Sequence, residues 1–367
     1  MALLSKLLEK ITYECVRGTL DRDVSDIIYD SRKVTADCMF ACIPGAKADG
    51  HVYAEDAVKA GAAVLLVERE VSLPEGACVT VIRVEDTRYA MAFISAAYFE
   101  YPAEKMQIIG ITGTKGKTTT TYLVKSILEQ AGRHVGLIGT IEVIIGDTHI
   151  HAENTTPQSY LIQKYFRQMA DAGCDTVVME VSSQGLMLHR TQGFVFDFGI
   201  FTNLEPDHIG ENEHKDFEDY MRCKGLLFKQ CRIGIVNQDD EHWEAVTKGC
   251  SCKLETYGID TKADLRAQDI TFLNASGRLG MRFQVKGLAD FPVEIASPGK
   301  FNVYNALTAI AICRHFGVQE ENIKAALLGA KVKGRTEMVK VSDDFTLMID
   351  YAHNAMALKS LLTTMRA

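Results

Sequence analysis

The sequence has no excess of basic charge. Its 40 lysines and arginines are outnumbered by 48 aspartates and glutamates, which leaves a formal charge of −8 over 367 residues. That balance gives no broad electrostatic surface for nucleic acid or an anionic membrane, although local basic pockets are compatible with it. Also absent is an apolar run of the roughly 18–20 residues that a membrane-spanning helix needs. The first ten residues, Met1–Lys10, place Leu3, Leu4, Leu7 and Leu8 on one face. They carry neither the basic start nor the small-residue cleavage site of a secretion signal, so a first core helix is expected there. The ten cysteines are scattered, and Cys42, Cys174 and Cys313 lie in apolar runs. Reduced, core-filling thiols of a cytoplasmic protein fit that usage. Cys250 and Cys252 form the only close pair, and no second Cys/His pair stands at metal-ligand spacing, which argues against structural zinc.

What is present is an ordinary globular composition, 47% hydrophobic and 24% charged. At this length two or three domains are expected, each able to bury its own core. Residues 1–103 alternate short strand-like and helix-like pieces: Ile27–Tyr29 before the turn-rich Asp30–Lys33, apolar Cys38–Ile43, a helix over Ala54–Ala60, strand Ala62–Val67 and a helix over Thr87–Tyr98. Tyr101-Pro102-Ala103 marks a boundary, because proline disfavours helix in the residue before it. From Lys105 the pattern becomes buried strand, loop, helix, repeated, with strands at Ile108–Ile111, Val135–Ile138, Thr176–Val181, Phe198–Phe201 and Ile233–Val236. Continuous Val/Ile runs between helices predict a mostly parallel sheet covered on both faces, so the fold class is α/β. Residues 264–297 alternate more openly and predict antiparallel strands on one edge, followed by helices over Val303–Phe316 and Glu321–Leu328. A third unit begins near Met338 with strand Phe345–Asp350 and a helix from Ala355. One strand and one helix cannot bury a core, so this unit is expected to be incomplete. The division expected is 1–103, 104–336 and 337–367.

The strongest chemical signal is Gly110-Ile111-Thr112-Gly113-Thr114-Lys115-Gly116-Lys117-Thr118, between a buried strand and a helix from about Thr119. Glycines let backbone N–H groups approach a polyphosphate, the helix start adds positive potential, Lys117 neutralises charge and Thr118 can ligate Mg²⁺. The common pattern G-x-x-x-x-G-K-[ST] would need glycine where Ile111 stands, so this is a variant phosphate loop. A second cluster, Met179–Gly185, follows a buried strand, where ligands of open α/β sheets sit; Glu180 could hold Mg²⁺ and Ser182 could donate to a substrate. A third, Thr202–His208, offers Asp207 and His208 as a metal or phosphate pair. Taken singly, the second cluster reads more readily as a capped strand end, and a lone histidine is more often structural. Lys224, on a helix with apolar neighbours, would by itself be a lysine reaching for solvent. Asn154-Thr155-Thr156-Pro157 alone would be a loop.

Together these segments resemble the Mur ligase family, closest to its MurE type, which adds the third amino acid to UDP-N-acetylmuramoyl-L-alanyl-D-glutamate. The likeness rests on Thr112–Thr119, Asn154–Pro157, Glu180–Ser183, His189-Arg190, Asn203–His208, Lys224, Asn302–Ala306, Gly334-Arg335 and Asp350–Asn354. It implies an N-terminal domain holding the uridine nucleotide at Asp30–Lys33, with Ser31 and Arg32, and a central ATPase domain. It further implies that Asn154, Thr155, Thr156, Ser182 and Arg190 hold the muramoyl dipeptide. Gly113, Thr114, Lys115, Gly116, Lys117 and Thr118 would hold the ATP phosphates, and Asn305, Arg335 and Asp350 the rest of the nucleotide. Thr118, Glu180 and His208 would surround Mg²⁺. Lys224 corresponds to a lysine carried as a carbamate, an anion able to support a second Mg²⁺.

The implied chemistry runs through an acyl phosphate, with Lys117 and Mg²⁺ countering the charge that gathers. Substrates would be the UDP-muramoyl dipeptide and an amino acid, the enzyme a cytoplasmic monomer. Two departures stand out: the third domain is nearly absent, and Ala355 replaces the usual proline after Tyr-Ala-His-Asn. Weak or absent ligase activity of this chain is therefore expected. The stretch Glu205–His214 looks somewhat more like lysine-adding than diaminopimelate-adding members. Rival readings are a folylpolyglutamate synthetase-like ligase, which lacks a uridine-binding domain, a small-molecule P-loop kinase, and a non-catalytic nucleotide-binding module.

Overall fold

The computed structural model describes the whole chain except residues 46–47, 212, 276–277, 340, 342–344, 346, 353–357, 360 and 364–367. At the start, the expected ten-residue helix contracts to the single turn Leu4–Leu7. Leu3 stays extended because Ala2–Leu3 pairs antiparallel with Asp23–Val24. Leu4, Leu7 and Leu8 are nonetheless buried, so the apolar face does what its spacing predicts. A five-stranded sheet follows, in the order Glu14–Arg17, Thr80–Arg83, Val64–Val67, Met39–Ala41, Ile27–Ile28. Helix Thr87–Tyr98 starts where the Asp86 carboxylate accepts from the Tyr89 N–H. Tyr101 adopts a left-handed φ of +50° immediately before Pro102, and the chain turns there toward the second sheet.

That second sheet has eleven strands. Seven are mutually parallel, in the order Val135–Ile138, Thr176–Glu180, Gln107–Thr112, Phe196–Phe201, Cys231–Asn237, Lys253–Gly258, Leu265–Ala275. Side chains alternate between its faces: Ile109, Ile111, Val178 and Ile200 pack with helices Lys117–Gln130 and Lys300–Cys313. Ile108, Val177, Met179 and Phe201 pack on the other side with helices Ser159–Asp171 and Phe217–Gly225. Both faces are covered, which is why these strands read as unbroken apolar runs. Arg278–Gly287 and Phe291–Ile295 extend one edge antiparallel, as the alternation predicts. The other edge carries a hairpin, Glu142–Ile145 with Thr148–His151, that the sequence reading did not separate out.

The two sheets are joined by side chains as well as by the chain. Tyr160, on a helix of the second unit, packs into the core of the first and donates to Asp26 at 2.7 Å. Past residue 336, Glu337–Val339 pairs antiparallel with Leu347–Ile349. The expected helix from Ala355, and His353 and Asn354 of the quoted motif, lie outside the described residues. Among the described residues, no helix is long and apolar enough to cross a membrane.

Candidate nucleotide and substrate site

Three neighbouring parallel strands end together. Thr176–Glu180 and Phe196–Phe201 flank Gln107–Thr112, with Glu180 opposite Ile111 and Phe201 opposite Thr112. The chain reverses its winding direction across the middle strand, so their C-terminal ends open the crevice in which such sheets bind ligands. The glycine loop lies in it. Gly113 has φ +147°, and a Cβ there would fall 1.9 Å from Thr202 Oγ1. Gly116 has φ +86° and would meet Asn305 Oδ1 at 2.5 Å. Both positions therefore require glycine. The helix starts at Lys117, two residues earlier than the sequence suggested, which puts Lys117 and Thr118 in its first turn.

Asn203 clamps the loop from the next strand. Its Oδ1 accepts from Lys115 N–H at 2.8 Å, its Nδ2 donates to Lys115 O at 3.1 Å, and its backbone oxygen accepts from Thr114 N–H. Lys115 pairs with Glu205. Lys117 is partly buried, and its ammonium donates to Gly113 O and Thr114 O at 2.8 and 3.1 Å. Burial pushes its pKa down, Glu180 and Asp207 oppose that, and Arg335 reinforces it. An ammonium so placed, held by two of the loop's own carbonyls, could exchange them for phosphate oxygens.

Glu180 is fully buried and accepts from Thr118 Oγ1 at 3.0 Å and from the N–H and Oγ1 of Thr140 at 2.8 and 3.0 Å. A hydroxyl and a carboxylate at a helix start are the hard oxygen donors that Mg²⁺ takes. The expected third member does not join them here: the His208 side chain is more than half exposed, and its Nδ1 lies 3.0 Å from Glu213 Oε1. Lys224 also departs from the solvent-reaching reading. It is 1% exposed, donates to Gly113 O at 3.0 Å and stands over the Tyr220 ring. Burial and the nearby Lys117 charge lower its pKa well below that of a free lysine.

On the substrate side, Thr156 Oγ1 donates to Glu180 O and accepts from Ser182 N–H, and Ser182 Oγ caps the short helix Ser183–Met187. Thr155 meets Thr140 through their hydroxyls at 3.0 Å. Arg190 donates to Thr156 O at 2.9 Å, while its buried Nε has no partner. Thr155, Thr156, Ser182 and Arg190 are thus gathered beside Glu180; Asn154 is exposed. Ser31 and Arg32 lie apart from this group, in the first unit. Arg32 holds Asp30 through two bonds of 2.8 Å, which keeps the Asp30 carboxyl down at about 2. At the far end, Asn305 faces the loop, Arg335 Nη2 lies 3.5 Å from Thr118 Oγ1, and Asp350 accepts from Thr336 N–H and Ala352 N–H.

Sequence reasoning missed four contributors. Thr140 follows an ordinary strand and has no motif. Arg88 carries a buried, unpartnered Nη1 and adds its like charge to the burial that lowers Arg190, yet it sits at a helix start with no motif. Tyr220 bonds Thr114 Oγ1 at 3.1 Å and lies four residues before Lys224, which was the available signal. His214 was quoted only within a longer stretch. His214, Asp219 and Cys223 gather donor atoms within 4.8 Å of one another, but Arg222 bonds both Asp219 and Cys223, so the cluster is satisfied without an ion.

Comparison with known proteins gives a consistent result. Residues 111–313 match the family described as Mur ligase middle domain, and residues 23–99 match Mur ligase family, catalytic domain. The UDP-N-acetylmuramoyl-L-alanyl-D-glutamate–2,6-diaminopimelate ligase of Clostridium perfringens is 40% identical over 100% of this chain and 75% of its own length. Ligase 1 of that name from Clostridium acetobutylicum is 42% identical over 99% and 74%. A solved structure of a ligase of that name superposes with a TM-score of 0.84 at 23% identity, covering 100% of this chain and 74% of that one. A folylpolyglutamate synthase of Mycobacterium tuberculosis shares the fold at a TM-score of 0.60 and 17% identity, covering 76% of this chain and 70% of its own.

Proposed function

The chain belongs to the Mur ligase family, and from that premise we propose that it joins 2,6-diaminopimelate to UDP-N-acetylmuramoyl-L-alanyl-D-glutamate. It is an ATP-dependent, amide-forming ligase of peptidoglycan synthesis. The observation that carries the choice of reaction is the match over the whole chain to relatives named for it; the folylpolyglutamate synthase covers only 76%. The likeness of Glu205–His214 to lysine-adding members gives way to those names.

A substrate carboxylate oxygen attacks the γ-phosphorus of ATP, ADP leaves, and an acyl phosphate results. The amine of the incoming amino acid then attacks the acyl carbon, phosphate leaves, and the amine loses a proton. In this reading Gly113–Thr118 cradles the phosphates, and Lys117 leaves the loop carbonyls to neutralise them. Asn305, Arg335 and Asp350 hold the remainder of the nucleotide. Thr118 and Glu180 would hold Mg²⁺, which when bound draws charge from the phosphate oxygens. His208 would join them by turning away from Glu213, and Lys224 would serve as its carbamate. Asn154, Thr155, Thr156, Ser182 and Arg190 orient the muramoyl dipeptide, with its uridine end toward Ser31 and Arg32. The division into domains at 1–103, 104–336 and 337–367 belongs to this proposal and is supported by the separate sheets. So does a cytoplasmic location, supported by ten free thiols, and a monomeric state, which the family resemblance implies.

A thermal-shift panel with ATP, UDP-muramoyl dipeptide and folate tests the reading. Stabilisation by the first two is expected; stabilisation by folate alone overturns it.

A further inference from the structure

Away from the phosphate loop, three side chains form a hydrogen-bonded chain between two segments of the site. Asp219 Oδ2 lies 3.1 Å from His214 Nδ1, and His214 Nε2 lies 2.8 Å from Ser183 Oγ. His214 is 1% exposed and Ser183 3%. A carboxylate only accepts, so Nδ1 donates to Asp219, and with a single ring proton Nε2 accepts from the Ser183 hydroxyl. Asp219 is itself held: its N–H donates to Asp216 Oδ1 at 2.7 Å, and Arg222 donates to its Oδ1 at 2.6 Å. The histidine backbone closes the preceding loop, with N–H to His208 O at 3.0 Å and Gly210 N–H to its oxygen at 3.1 Å.

The ends of this chain belong to different elements. Ser183 follows Ser182, whose N–H donates to Thr156 and which is two residues past Glu180. Asp219 is on helix Phe217–Gly225, the helix of Tyr220 and Lys224. An apolar contact would bury the same surface without fixing direction, whereas two hydrogen bonds through a rigid ring fix both distance and orientation. The order acid, imidazole, hydroxyl is that of a nucleophilic triad, but the hydroxyl is sealed inside the protein and reaches no substrate.

We propose that His214 is a positioning residue for substrate binding: oriented by Asp219, it holds Ser183 and so fixes the Glu180–Gly185 segment, with Ser182, against the helix that carries Lys224. The inference rests on the functional reading above, in which Ser182 meets the muramoyl dipeptide. Misplacement of binding groups by about 1 Å is enough to cost a factor of 10–100.

Calorimetry on the full chain tests it, with UDP-muramoyl dipeptide and ATP as separate ligands and thermal midpoints recorded. His214→Ala and Ser183→Ala are each expected to weaken the muramoyl dipeptide about tenfold or more and to leave ATP within about twofold. The double variant is expected to be no worse than the worse single, because both cut one chain. His214→Gln, which keeps an N–H donor and a carbonyl acceptor, is expected to recover part of the loss. Unchanged dipeptide affinity in the folded variants, multiplying effects, or an equal loss of ATP affinity overturns the role. If His214→Ala does not fold, Ser183→Ala and Asp219→Asn decide the matter alone. Wild-type chain that binds no UDP-muramoyl dipeptide overturns the functional reading and this inference with it; wild-type binding with indifferent variants overturns this inference only.

Discussion

Lys117 and Lys224 donate to the same acceptor, the carbonyl oxygen of Gly113, at 2.8 and 3.0 Å. Two ammonium groups on one oxygen, one buried and one partly buried, repel in a medium that screens them poorly. Burial lowers both pKa values and Asp207 supports the charge on each, but Glu180 supports Lys117 alone, while Lys117 adds to the depression of Lys224. Lys224 is therefore the member that gives up its proton. A neutral amine can attack carbon dioxide, lose a proton and become a carbamate, turning a repulsive cation into an anion beside Lys117. Wild-type protein in ¹³C-bicarbonate is expected to show a labelled carbamate carbon by NMR, and Lys224→Arg to show none. Equal labelling of the two proteins would remove Lys224 from this role.

On the proposed function, Lys117 has the opposite task. Its loop carbonyls are acceptors it can surrender to a phosphate, and a charge-assisted hydrogen bond contributes about 1.5–3 kcal/mol. Lys117→Ala is expected to weaken ATP roughly 10- to 100-fold by calorimetry and to leave UDP-muramoyl dipeptide affinity unchanged. ATP binding at wild-type strength would contradict it.

The phosphate loop was readable in the sequence because it is local: the glycines, Lys117 and Thr118 lie within nine residues at the end of a buried strand, and backbone geometry demands the glycines. The parallel sheet was readable for a similar reason, since strands buried on both faces leave runs such as Ile108–Ile111. The environment of Lys224 was not. Its burial depends on Gly113, 111 residues earlier, and on the Tyr220 ring, so its own helix suggested solvent. Glu180 was found at its strand end, but Thr140, which holds it, comes from a separate loop. His208 shows the converse: its type invited a metal role, while its ring turns to Glu213. Contacts between distant segments leave no spacing for a sequence to display.

Arg88, on helix Thr87–Tyr98, and Arg190, just past helix Ser183–Met187, stand close enough for their like charges to oppose each other, and each keeps a buried nitrogen without a partner. Arg88 donates to Pro44 O and Arg190 to Thr156 O, so both are aimed by the backbone. Desolvated donors left open await an anion, since leaving them unmade is costly. Arg88→Gln is expected to weaken UDP-muramoyl dipeptide about tenfold while ATP affinity holds. Titration calorimetry reads both, and an unaltered dipeptide affinity would take Arg88 out of the site.

Gly113 tests the loop by geometry rather than charge. With φ at +147° and Thr202 Oγ1 1.9 Å from an added Cβ, alanine can be accommodated only by moving the loop or the strand end that packs on it. The backbone conformation alone costs on the order of 1–3 kcal/mol for a residue with a side chain. Gly113→Ala is expected to keep the overall fold by circular dichroism and lose most ATP affinity. Gly132→Ala, at φ +83° with open space around its Cβ, pays backbone strain alone and should leave ATP binding intact. Equal ATP binding by both variants would show that the cradle tolerates a side chain.

His315 sets an acid limit on the central sheet. Its ring stacks 5.0 Å from Phe198, and its Nε2 lies 2.9 Å from Glu255 Oε2. Glu255 also takes Arg314 and Lys253. Burial first, then the charges of Arg314 and Lys253, bring the His315 pKa down to about 4 from its ordinary 6.5. Between those values the unfolded chain binds a proton that the folded one refuses, so stability rises with pH through that window and falls on acidification. At pH 5 the loss from this group alone is on the order of 2 kcal/mol. His315→Gln is expected to show a smaller drop in urea midpoint between pH 7 and pH 5 than the wild type. Other acid-sensitive groups contribute equally to both proteins, so the difference isolates His315, and identical drops would mean that its proton is not linked to folding.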